Sequence, residues 1–223
     1  MAYVESETFT NMKYKLHCFA QSGNAYKVAL MLNLCQADWE PVFVDFFNEK
    51  EHLTDEFRAL NNMSEVPVLE AGDLALSQTG VILDFIADAF EKFEGSSVPE
   101  HREVMRWLFF DNHKVTGTVS VLRFLRQFTK TGETDVTRFL HARAERALDI
   151  LNRRLLESEY VIGAKPTIAD ISLCGYLYWP EEIGFDWANY PGIAQWLDRI
   201  AALEGWVHPY ELMPGHPLPE QAS

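Results

Sequence analysis

The chain has 223 residues, 48% hydrophobic and 23% charged, with 33 acidic against 19 basic side chains and a formal net charge of −14. That length can bury a substantial core in one large domain or two modest ones. That charge repels nucleic-acid duplexes and anionic membranes, so neither is expected as a partner. No run approaches the roughly 18 apolar residues of a membrane span, and the opening MAYVESETFTNMKYK has no basic stretch followed by an apolar one, so no secretory signal is expected.

Residues 14 to 20 alternate as a half-buried strand does, and Val28, Met31, Leu32 and Cys35 then fall on one face of a helix over 25–36. PVFVDF (41–46) reads as a second strand and EKEHLTDEFRALN (49–61) as a short, polar, irregular helix. VPVLEAGDLALS (66–77) reads as a hairpin turning at Ala71-Gly72-Asp73, and QTGVILDFIADAFEKF (78–93) as a helix. EGSSVPEHR (94–102) reads as a linker. Beyond it the patterns are helical: Val136, Leu140, Ala144, Ala147, Leu151 and Leu155 mark one face over 135–157. PTIADISLCGYLYW opens another helix, which Pro180 ends or kinks. The expected layout is an α/β domain over 13–93, a linker over 94–102, an all-helical domain over 103–212 and a poorly ordered, proline-rich tail over 213–223.

Cys18, Cys35 and Cys174 are far apart and show no CxxC spacing. Sparse, odd usage fits a reducing cytoplasm and argues against a disulfide framework or a zinc site.

Two short stretches carry chemistry. In LHCFAQSGNAYKVALML (16–32) a strand gives way to a helix at Ser22-Gly23-Asn24. The serine and asparagine either cap that helix, or present a hydroxyl and free amides to something anionic. Pro67 lacks the N–H that a ladder needs. It either opens the strand in the trans form, or follows a cis Val66–Pro67 bond that leaves the Val66 N–H and C=O free to pair with an extended peptide. Thr167 and Asp170 are spaced as a capping box and read as structural.

SGNAYKV, EVPVL, SQTGVILDFI and TIADISL, in that order and spacing, resemble the cytosolic-type glutathione transferases. The resemblance covers about residues 14–207, and KEHLTDEFRALNNMSEVPVL is similar to the theta- and zeta-like branches. It implies a thioredoxin-like first domain with an all-α second domain, homodimerisation, and glutathione as co-substrate attacking a small electrophile, without a metal. By the same resemblance Ser22 faces the glutathione sulfur, with Asn24 the next candidate. Val66 pairs with the cysteinyl backbone beside a cis Pro67. Gln78 and Thr79 hold the γ-glutamyl end, and His52 lies near the glycyl carboxylate.

The helix beginning at Thr79 suits an α-carboxylate, whereas Gln78 stands where many relatives carry a carboxylate. Cys18 falls inside the strand and is excluded as the thiol-activating group. Glu65 stands where theta-like relatives often carry lysine, and a carboxylate there repels the glycyl carboxylate if it faces inward. Asn62 replaces a proline and is expected to loosen its loop. Phe109, Phe110, His113 and Lys114 lie in the helix expected to line a second-substrate site, but aromatic residues at helical spacing read as core. Two other readings stay open: glutathione-dependent isomerisation or reduction of disulfides or peroxides, and a non-catalytic interaction protein of the same shape.

Overall fold

The computed structural model describes residues 7–129 and 131–218. By its contacts the chain divides into one unit formed by the residues up to Lys92 together with those from Glu204 onward, and a second formed by Phe93–Leu203.

The first unit opens with a one-turn helix, α1 (Glu7–Thr10), which the sequence pattern does not announce. Strand β1 (Tyr14–Cys18) follows, then helix α2 (Gly23–Leu34) and strand β2 (Trp39–Phe43). A 3-10 turn (Glu51–Leu53) and helix α3 (Asp55–Leu60) make up the irregular helix expected over 49–61. The break falls at Thr54, whose side chain accepts from the Phe57 N–H and caps α3. Strands β3 (Val68–Ala71) and β4 (Leu74–Ser77) form the expected hairpin, followed by helix α4 (Thr79–Phe90). The sheet order is β2-β1-β3-β4, with β2 parallel to β1 and β3 antiparallel to both β1 and β4. Tyr14, Leu16 and Cys18 are fully buried, as the alternation of β1 requires.

The same unit is completed by 204–218, including helix α11 (Pro209–Leu212). Asn33 Nδ2 donates to Gly205 O at 3.1 Å, and the Tyr26 hydroxyl donates to Val207 O at 3.0 Å. Gly205 has φ +95, and a Cβ there would stand 2.8 Å from the Asn33 carbonyl oxygen, so glycine alone fits this approach. Residues 204–212, expected in the helical domain, therefore belong with the α/β domain. Met213 is buried and residues 214–215 are hydrogen-bonded into this unit, so the beginning of the tail is ordered. Positions 219–223 lie outside the described residues, as do 1–6 of the opening segment.

The second unit is built of helices, and its described residues contain no strand. Helix α5 (Val98–Phe110) begins inside the expected linker. Ser97 accepts from the Glu100 N–H as its cap, and Pro99 occupies the first turn, where a missing N–H costs nothing. The Ser-Pro passage is thus a helix start. The run continues through π-helical segments Asp111–Thr116 and Phe124–Phe128 on either side of α6 (Gly117–Arg123). Helix α7 (Asp135–Glu157) has the expected bounds, but Thr137 rather than Val136 is the first buried residue of its stripe. Helices α8 (Ile168–Cys174), α9 (Pro180–Ile183) and α10 (Pro191–Ala201) complete the unit. Phe109 is 67% exposed, and His113 and Lys114 are also exposed. The core reading is therefore corrected for Phe109, whereas Phe110 is half-buried with its ring 5.3 Å from that of Trp107.

Two polar clusters hold this unit. Asp170 is fully buried, and its carboxylate accepts from the N–H groups of Val161 and Thr167, the Thr167 hydroxyl and the Trp196 indole. Buried Arg123 pairs with Glu182 at 2.7 Å, and its guanidinium lies 3.6 Å above the Trp179 ring. A planar cation with a carboxylate at its edge and an indole on its face can be buried.

Candidate functional site

Strand register gathers the candidate residues at one end of the sheet. His17 near the end of β1 pairs with Val68 at the start of β3, and Val68 pairs with Ser77 at the end of β4. Cys18 also pairs with Phe43, the last residue of β2. The loops carrying Ser22, His52, Val66-Pro67 and Gln78-Thr79 all join the sheet at that end.

Ser22 is the N-cap of α2, and its Oγ accepts from the Ala25 N–H at 3.1 Å. Its own N–H donates to Phe19 O at 3.0 Å, and its carbonyl receives the Tyr26 N–H at 2.9 Å. The loop is pinned by Ala20 N–H to Pro214 O and Gln21 Nε2 to Gly215 O, both at 2.8 Å. Capping and ligand binding do not exclude each other here. A hydroxyl has one donor and two acceptor positions, and the cap uses one acceptor. The proton of Ser22 remains available to an acceptor off the helix start, and the donated Ala25 N–H polarises it. Asn24, in the first turn of α2, makes no side-chain hydrogen bond among the described residues. Cys18 is fully buried, and burial pushes its thiol up to about 12, which fits its exclusion.

Val66–Pro67 is a cis bond. The Val66 side chain packs against the cluster of Val44, Phe57 and Val68, and its N–H and C=O pair with no described residue. Asn61, itself buried, ties the preceding loop by donating to Glu65 O at 2.7 Å and accepting from the Met63 N–H at 3.1 Å. The loop that Asn62 was expected to loosen is held by its neighbour.

His52 stacks on Phe46 at 4.1 Å between centroids, and Phe46 stacks on Phe19 at 4.9 Å. This aromatic column links the turn carrying His52 to the loop carrying Ser22. In the sequence its one signal is the Phe46-Phe47 pair after β2. The His52 Nδ1 is buried and has no hydrogen-bond partner among the described residues, and burial, with Lys50 adding repulsion, lowers its pKa below the ordinary 6.5.

Gln78 precedes α4 with φ +68 and makes no side-chain cap, leaving the first-turn amides of Thr79 and Gly80 uncapped by it. Its Nε2 donates to Glu65 Oε2 at 3.3 Å and to Met63 Sδ at 3.1 Å. Glu65 therefore faces Gln78, a neighbour the sequence did not suggest. No three His, Cys, Asp or Glu side chains among the described residues are grouped to hold a metal ion.

Residues 12–88 match the family model for the glutathione S-transferase N-terminal domain, and residues 133–199 match the C-terminal domain. A crystal structure of a glutathione S-transferase from Pseudomonas fluorescens is similar, with 33% identity and a TM-score of 0.81 over 88% of this chain and 98% of that one. A glutathione S-transferase of Arabidopsis thaliana is 28% identical over 87% of this chain and 82% of its own length. A probable maleylacetoacetate isomerase of Vibrio cholerae is 27% identical over 88% and 94%. No helix among the described residues is long and apolar enough to cross a membrane.

Proposed function

Because the chain belongs to the glutathione S-transferase family, we propose that it binds glutathione at the sheet end described above and stabilises its thiolate with the Ser22 hydroxyl for attack on a small electrophile. One observation carries this reading. Ser22 Oγ is fixed at the start of α2 by the Ala25 N–H, with its own proton left to donate. A free thiol has a pKa of about 8.5 and is roughly 3% ionised at pH 7. Lowering that value by about two units takes about 2.7 kcal/mol. A hydrogen bond to a charged group contributes about 1.5–3 kcal/mol and a helix N-terminus about 0.3–2. Together they suffice.

Val66 pairs with the cysteinyl backbone through its unengaged N–H and C=O. Pro67 shapes that edge, Thr79 and the start of α4 receive the γ-glutamyl α-carboxylate, and Asn24 and His52 border the ligand. The neutral His52 ring offers a polar edge to the glycyl end, and exposed Lys50 offers the charge. The protein acts as a homodimer in the cytoplasm. Met63, Leu74 and Val81 supply exposed apolar surface for dimerisation, and three free, buried cysteines suit a reducing compartment. Likeness to a probable maleylacetoacetate isomerase favours glutathione-dependent isomerisation as the second reading, since the same thiolate would add to and leave an unsaturated acid.

The test is ultraviolet titration of bound glutathione. Ser22→Ala should raise the thiol pKa by about one to two units. An unchanged titration would overturn the role of Ser22 and shift it to Asn24 or the backbone. Sedimentation as a single 25.6 kDa species would overturn the dimer.

A further inference from the structure

Gln78 Nε2 gives its two hydrogens to Glu65 Oε2 and Met63 Sδ, so the amide is already oriented and only its carbonyl oxygen is free to accept. Glu65 is exposed and has no ion pair among the described residues, so its second oxygen is also free. The two side chains form a pair of acceptors with one net negative charge, held beside the start of α4, where uncapped amides favour an anion. A carboxylate-accepting edge next to an ammonium-accepting edge complements the zwitterionic end of an α-amino acid. We propose that Glu65 is a specificity determinant that binds the α-ammonium of the γ-glutamyl group, supplying the charge that Gln78 lacks.

This rests on the glutathione reading. The condition for repulsion of the glycyl carboxylate is not met, because Glu65 faces Gln78, which the glutathione reading puts at the γ-glutamyl end. The chain should therefore discriminate against tripeptides whose γ-glutamyl nitrogen is absent or acylated.

The experiment is calorimetric titration of the full chain with glutathione and with glutaryl-cysteinylglycine, which lacks only the α-ammonium. Wild type should bind glutathione roughly five- to tenfold more tightly than the analogue, the range of a charge-assisted bond near the surface. Glu65→Gln should remove that preference by weakening glutathione alone. The exchange Glu65→Gln with Gln78→Glu should restore it, which a merely structural role for Glu65 would not predict. Equal affinity of wild type for both ligands, or glutathione binding unchanged or tightened in Glu65→Gln, overturns the inference and leaves the proposed function standing. A wild-type chain that takes up neither ligand at millimolar concentration overturns both.

Discussion

The Trp196 indole N–H donates to Oδ1 of Asp170 at 2.9 Å, joining α10 to the first turn of α8 inside the helical unit. Asp170 also receives Thr167 N–H and hydroxyl and Val161 N–H. Asp170→Asn turns one acceptor into a donor that faces other donors. The variant should lose about 2–4 kcal/mol, because buried polar groups would be left unpaired. Chemical denaturation checks this; a loss below about 0.5 kcal/mol would show that the capping box carries little.

The cysteines should be inert in the folded chain. Burial pushes Cys18 and Cys35 up to about 12, and Cys174 is fully buried. A thiol at that value is ionised to about one part in ten thousand at pH 8, and the thiolate is the reactive species. A colorimetric disulfide reagent should titrate no cysteine in native protein and three after denaturation. Rapid labelling of Cys18 in the native state would contradict the buried strand.

Acid should act on His52. Its pKa is lowered by burial and then by Lys50, so below the ordinary 6.5 the unfolded chain takes up a proton before the folded one does. The contribution of His52 is therefore fully present above 6.5 and declines as the pH falls toward the lowered value. His52→Phe, which keeps an aromatic ring against Phe46, should flatten the acid side of the stability profile. Ring resonances of His52 should titrate with a midpoint below 6.5; a midpoint above it would refute the neutral, stacked state.

Gly205→Ala should cost about 1–3 kcal/mol, because φ +95 disfavours any side chain and the new Cβ would meet a backbone oxygen that cannot swing away. The melting temperature reads this directly. Gly80→Ala is the control, since a Cβ there meets nothing within 4 Å.

Much of this architecture is legible in the sequence because it is local. The alternation from Tyr14 reports a strand, the four- and three-residue steps of α7 report a helix, and Thr167 with Asp170 reports a cap. Ser97-Val98-Pro99 misleads because the signals that break a chain are also those that start a helix. The candidate residues at 22, 66–67 and 78–79 can be found from motif spacing. The contact of Gln78 with Glu65 cannot, because it joins two turns whose positive φ values, at Ser64 and Gln78, no residue type announces. The stack of Phe19, Phe46 and His52 is hidden for the same reason: its members come from three segments brought together only by the sheet.

The return of residues 204–218 to the first unit has a consequence for biosynthesis. The sheet can pair as soon as β4 leaves the ribosome, but Ala20, Gln21, Tyr26 and Asn33 must wait for partners encoded more than 170 codons later. Until then the nascent α/β half presents an uncovered flank to chaperones. Ribosomes stalled before codon 204 should display that half in a protease-sensitive form, and release of the later segment should close it.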